Sequence, residues 1–231
     1  MATSTSTATA SAAHEAHDHH PPHLKHYFVS SEQQFDAAKL GMWLFLITEI
    51  LLFSGMFVAY TVYRVWHPEV YEVASGALNP WLGGLNTIVL LFSSFTVASA
   101  IHYIQKGDQR KMIINLALTI LCASIFMVVK YFEYTSKFEH GIFPGGHLDA
   151  HGEYAIYNIP YAAQFFSIYF VMTGIHGVHV LVGMGLFAWL LSRGVRGHFT
   201  AEWYTPVELT GLYWHIVDII WIFLFPLMYL I

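Results

Sequence analysis

Seven side chains in this sequence could move protons or hold a metal, and all lie within or beside strongly apolar stretches: Glu49, His102, Glu133, His176, His179, His215 and Asp218. The C-terminal run GLYWHIVDIIWIFLFPLMYLI, Gly211 to Ile231, states the problem most sharply, because His215 and Asp218 sit there among Trp, Ile, Leu and Phe. Without partners in lipid, each costs roughly several kcal/mol. Three chemistries would justify them. They could tie helices together by hydrogen bonds at about 0.6–2 kcal/mol per contact. They could form a proton path, which chains of Asp, Glu and His mark in membranes. Or His102, His176, His179 and His215 could ligate haem iron or a metal, which requires several ligands converging across a gap between helices.

Spacing weighs on each choice. His215 and Asp218 are three apart, so a helix puts them on one face. Glu49 is flanked on its own face by Phe45, Leu46, Leu52, Phe53 and Met56, so its carboxyl must be neutral or meet a partner on another helix. His176 and His179 share a face, but the surrounding TGIHGVHVLVGMG carries Gly174, Gly177, Gly183 and Gly185, the texture of close backbone contact between helices. Ser93, Thr96 and Ala100 form a small-residue stripe suited to nestling against a neighbour, with hydroxyls that can bond backbone carbonyls locally. Lys130, Glu133 and Lys137, three and four apart, read as a local ion pair. The sequence offers no nucleophile with an adjacent base, no glycine-rich phosphate loop and no metal-ligand signature.

The elements that position these groups follow from composition. The 231 residues are 56% hydrophobic and 11% charged, against about 25% charged in a soluble domain, which indicates a membrane protein. Ten Lys plus Arg are spread along a chain of net charge -5, so no basic face for nucleic acid forms. The single Cys122 excludes an internal disulfide and any two-thiolate centre. Residues 1–26 hold six of the 15 histidines, lack the apolar core of a secretory signal and read as a disordered tail.

From residue 27 to 231 the sequence predicts an all-α domain of five transmembrane helices, near 37–63, 81–104, 112–134, 159–191 and 206–230. Breakers at His67-Pro68, Asn79-Pro80, Lys106-Gly107-Asp108, Pro144-Gly145-Gly146 and Arg193-Gly194 punctuate them. Basic residues orient the bundle. With the N-terminus cytoplasmic, that side holds Lys25, Lys39, Lys106, Arg110, Lys111, Arg193 and Arg196, and the other only Arg64 and Lys137. The C-terminus then faces outward, and Lys130, near the outer interface, snorkels towards the headgroups. At about 1.5 Å per residue, Glu49 and Asp218 each lie about 18 Å from the inner start of their helices, at similar depth.

Five runs carry a family resemblance: LGMWLFLITEILLFSGMF (Leu40 to Phe57), LNTIVLLFSSFT (Leu85 to Thr96), KYFEY (Lys130 to Tyr134), FFSIYFVMTGIHGVHVLVG (Phe165 to Gly183) and YWHIVDIIWIFLF (Tyr213 to Phe225). In order and spacing they resemble subunit III of haem-copper terminal oxidases in its five-helix bacterial form. The resemblance implies an accessory subunit, without a redox centre, of an oxidase that reduces O2 to water and pumps protons. Haem and copper would be carried by subunits I and II. It implies packing against subunit I, bound phospholipid, support of proton uptake over many turnovers, contacts with subunit II and other small membrane subunits, a place in a larger respiratory supercomplex, and a bacterial inner membrane. Glu49, His176, His179, His215 and Asp218 match recurrent internal polar positions of that family, with His215 and Asp218 expected to hold the last helix in register through Glu49. Many members have seven helices with lipid in a cleft beside the first pair; this sequence shows no counterpart of that pair, so lipid is expected between this subunit and another. Quinol oxidase subunits and nitric oxide reductase accessory proteins are similar too. Two other classes remain as alternatives: a stand-alone proton-coupled transporter with a water-accessible cavity lined by Glu49 and Asp218, and a membrane cytochrome anchor using the buried histidines.

Overall fold

A computed structural model describes residues 24–139 and 161–231, which form six helices and no strand among the described residues. They are α1 (Ser31–Trp66), α2 (Pro68–Ser75), α3 (Pro80–Gln105), α4 (Gln109–Glu139), α5 (Ala162–Val195) and α6 (Thr205–Tyr229). All except α2 are long and apolar enough to cross a membrane. The expected tail lies outside the described residues up to position 23, and so does the Pro144-Gly145-Gly146 break. Contacts divide the chain into a unit ending at Gly41 and a unit of Met42–Ile231; the core belongs to the second.

The spans begin and end where backbone chemistry dictates, which is wider than the apolar runs alone suggest. Helix α1 starts six residues before the expected position 37, because Ser30 Oγ accepts from Gln33 N at 3.1 Å and Gln33 Oε1 accepts from Val29 N at 2.9 Å, close to a capping box. Asn79 caps α3 through its side-chain oxygen, which accepts from Trp81 N at 3.0 Å, with Pro80 preset for the first turn. Asp108 opens α4 by accepting from Lys111 N at 3.2 Å, and its hydrogen bond to the Lys111 ammonium holds its carboxyl below the ordinary value. Gly107 and Gly197, both at φ 77°, close α3 and α5 in the left-handed conformation that glycine tolerates.

Helix α2 was not expected. His67-Pro68 reads as a break, but proline at the first helical position also starts a helix. Its buried side, Val70, Tyr71 and Ala74, packs towards α5, with Tyr71 edge-on to Phe165 at 5.1 Å and to Tyr60 at 5.3 Å. Burial pushes the Tyr71 phenol up to about 12. His67 stacks on Tyr161 at 4.1 Å, and Tyr161 takes φ 73° where α5 begins, three residues later than expected.

Four helices close a ring: α3 packs on α4 and α6, and α5 on the same two. Trp214, Trp221, Phe126, Tyr169 and Phe187 fill its interior. Three glycines permit the closest approaches. A Cβ on Gly183 would stand 2.5 Å from the Trp214 ring, one on Gly83 would stand 2.6 Å from the Phe225 ring, and one on Gly211 would stand 2.6 Å from Ile101. Gly174, Gly177 and Gly185 have no such neighbour within 4 Å, so of the glycines read as contact texture in α5 only Gly183 makes a close contact within the chain. Helix α1 lies beside this ring, and only Leu46, Phe53 and Tyr60 of its residues are buried.

Candidate functional site

The polar residues of the spans form three groups at different places in the bundle. The first joins α1 to α5. Glu49 Oε2 lies 2.8 Å from His179 Nε2, while His179 Nδ1 is 2.8 Å from the Ile175 carbonyl one turn away. That carbonyl can only accept, so Nδ1 carries the proton and Nε2 faces the carboxyl. One proton therefore lies between Glu49 and His179, whichever atom holds it. Tyr213 of α6 donates to the His179 carbonyl oxygen at 2.9 Å, and the Phe53 ring stands edge-on to the imidazole at 5.4 Å. Glu49 thus has the partner on another helix that its apolar surroundings demand. The partner is His179 on α5, whereas the sequence pointed to His215 and Asp218. Loops rather than residue spacing decide which helix sits beside α1.

The second group follows α6. Ser94 Oγ of α3 lies 2.7 Å from His215 Nδ1, and the half-buried imidazole also lines a groove beside α1. Asp218 is 2% exposed, and neither carboxylate oxygen has a hydrogen-bond partner, although Ser94 and Cys122 lie near it. His215 and Asp218 thus both lie beside Ser94, the imidazole reaching the groove edge and the carboxyl buried within the ring. His176 is fully buried between Phe126 of α4 and Trp221 of α6, with ring centroids at 5.6 and 5.3 Å and both nitrogens unpartnered. Its neighbours differ from those of His179, because residues three apart on a helix point about 60° apart.

The third group is the most heavily bonded. Glu133 Oε2 accepts from Lys130 Nζ at 2.9 Å, and Oε1 accepts from Tyr229 at 2.6 Å and Tyr169 at 2.9 Å, with Lys137 Nζ at 3.5 Å. Lys130 also donates to the Tyr229 hydroxyl at 2.5 Å and sits 4.5 Å from the Trp221 ring centroid. The ion pair within α4 is present as its spacing implies, but it is tied into α5 and α6 as well. Lys130 corrects the snorkelling expectation: it is 7% exposed and its ammonium points into the bundle, where a carboxylate and aromatic faces replace water. Tyr169 and Tyr229 are not singled out by their own pattern, because they are ordinary aromatics in aromatic-rich helices. A clue was available in the pairing of two cations with one acid in an apolar span, which calls for more donors and rings around it.

Smaller links complete the ring. Trp214 Nε1 donates to Ser93 Oγ at 2.9 Å, Trp221 Nε1 to Thr87 Oγ1 at 3.1 Å, and the hydroxyls of Thr96 and Thr119 meet at 2.8 Å. Ser93 and Thr96 also donate to the Leu90 and Ser93 carbonyls at 2.7 Å, as expected of the α3 stripe. His102 is exposed in the last turn of α3 and joins none of these groups. Among the described residues no three His, Cys, Asp or Glu side chains come together as a metal site. The arrangement can clamp helices and hold protons in place, and His102, His176, His179 and His215 do not converge on a common point.

Comparison with known proteins bears on the same segments. Residues 30–143 and 150–231 match the family described as cytochrome c oxidase subunit III. A cytochrome c oxidase subunit 3 of Thermostichus vulcanus is 32% identical over 201 residues, covering 85% of this chain and 88% of the relative. Those of Prototheca wickerhamii and Gadus morhua are 33% and 34% identical, each covering 83% of this chain and 68% of the relative. With five helices long and apolar enough to cross a membrane and a family match along nearly its whole described length, the chain is a multi-pass membrane protein that belongs to the cytochrome c oxidase subunit III family.

Proposed function

We propose that this chain is the non-catalytic subunit III of a proton-pumping cytochrome c oxidase in a bacterial inner membrane, where it stabilises subunit I and supports proton uptake. Its N-terminus is cytoplasmic and its C-terminus faces the periplasm. Haem and copper belong to the partner subunits, and subunit II, other small membrane subunits and a respiratory supercomplex complete its surroundings. One observation carries this reading: Glu49 bonds His179 across α1 and α5, and the Lys130–Glu133–Lys137 cluster of α4 is bonded to Tyr169 of α5 and Tyr229 of α6, so these groups spend polar capacity on bonds between helices. Such groups fix which helices meet and in what register. Glu49, Glu133, His176, His179, His215 and Asp218 are accordingly packing residues, and His102 is a surface residue of the inner interface.

An open groove of about 690 Å³ between α1 and α6, lined by Trp43, Leu46, Phe53, Ile216, Phe223 and Leu227, suits the acyl chain of a bound phospholipid. Deleting the chain tests the function. Haem content and the initial rate of O2 reduction stay in place while activity decays over fewer turnovers. Loss of haem insertion on deletion, or an isolated chain that is active in the bilayer, contradicts the reading.

A further inference from the structure

The polar residues of the ring occupy successive levels along its axis. From Trp214 to Tyr229 of α6, about 22 Å at 1.5 Å per residue, contacts fix those levels. Trp214 meets Ser93, Trp221 meets Thr87 and His176, and Tyr229 meets Lys130, Glu133 and Tyr169. Both end levels are saturated with hydrogen bonds. The levels between them hold Asp218, His176 and Asn86, which precedes Thr87 in α3. All three are at most 2% exposed, and the six side-chain N and O atoms they carry have no protein partner. The only other side-chain atom in that condition among the described residues is the Tyr71 hydroxyl, far along the sequence in α2.

Three buried side chains left unbonded between these levels, where the other buried side-chain N and O atoms of the ring are paired among the described residues, call for a shared explanation. Successive turns of a helix are about 5.4 Å apart, which is the reach of one small molecule bonding to both sides at about 2.7 Å. Internal water makes about three such bonds and collects at polar positions in otherwise apolar interiors. We propose that Asp218, His176 and Asn86 bind a short file of ordered water along the axis of the α3–α6 ring, linking the Ser94–His215 contact to the Lys130–Glu133 network. The file joins the polar groups of all four helices, so the register of the ring depends on it.

A density map of the intact oxidase, at a resolution that shows water, tests this directly. Ordered water peaks appear within hydrogen-bond distance of at least two of the three side chains; a dry contact, direct bonds among the three, or a partner's side chain filling the site overturns the proposal. X-ray hydroxyl-radical footprinting of the same complex gives a second readout. Trp221 and Phe126, fully buried but beside the file, become oxidised, while the equally buried Phe187 next to Trp214 does not. In Asn86→Leu the labelling of Trp221 falls. Equal protection of Trp221, Phe126 and Phe187 in the native complex contradicts the file, whether or not the variant assembles.

Discussion

Helix α1 and helix α6 are both apolar spans, but they are held by different means. Half of the most apolar window of α6 is buried, against 11% for α1. Helix α6 is wedged into the ring by Trp214 and Trp221, by the close approach at Gly211 and by the Tyr229 bonds to α4 and α5. Helix α1 is attached by a few points: Glu49 to His179, Phe53 against the same histidine, and the Tyr60 hydroxyl donating to the Leu227 carbonyl. Close packing together with a bonded polar interior specifies the ring, and a few polar bonds specify the attachment of α1. Damage to the ring should therefore cost stability, and damage at α1 should cost attachment.

The largest effect is expected inside the ring. Glu133→Leu leaves Lys130 and Lys137 buried without their carboxylate, a loss of about 3–5 kcal/mol, seen as failure to recover intact complex or a large fall in its thermal midpoint. Next comes Gly183→Ala. The added methyl collides with a Trp214 ring whose indole N–H is fixed to Ser93, so the cost is about 1–3 kcal/mol; Gly177→Ala, where nothing stands within 4 Å, serves as the near-neutral control in the same thermal assay. A smaller effect follows at α1. Glu49→Leu removes a contact of about 0.6–2 kcal/mol and should raise protease cleavage or spin-label mobility in α1 while the ring melts as before. Equal destabilisation of ring and α1 would erase the distinction between them. The smallest change is expected from Thr96→Val, which deletes the hydroxyl pair with Thr119 for about 0.6 kcal/mol and should shift the melting curve only slightly.

Much of this contrast could be read from the sequence, and the unread part has a common cause. Five spans, the breaks at Asn79-Pro80 and Lys106-Gly107-Asp108 and the i, i+3 pairing of Lys130 with Glu133 follow from local rules of length, chain-breaking residues and helical spacing. The need of Glu49 for a partner was equally legible, because an acid amid Phe, Leu and Met has few options. Its choice of His179 was not, since neighbours across a bundle depend on loops and packing that no helix carries in its own pattern. The same limit hid Tyr169 and Tyr229 around Glu133, and it made four glycines of α5 look alike when only Gly183 abuts a neighbour. Helix α2 was hidden for another reason: Pro68 signals both an end and a beginning.

The most direct test of whether the interior polar groups tie helices together or take part in the reaction is the initial rate of O2 reduction per haem in oxidase carrying Glu49→Leu or His179→Leu, measured alongside retention of the variant chain in the complex. A structural role predicts an unchanged initial rate with weaker retention or earlier loss of activity. An immediate fall in the initial rate while the variant chain stays fully bound would contradict it.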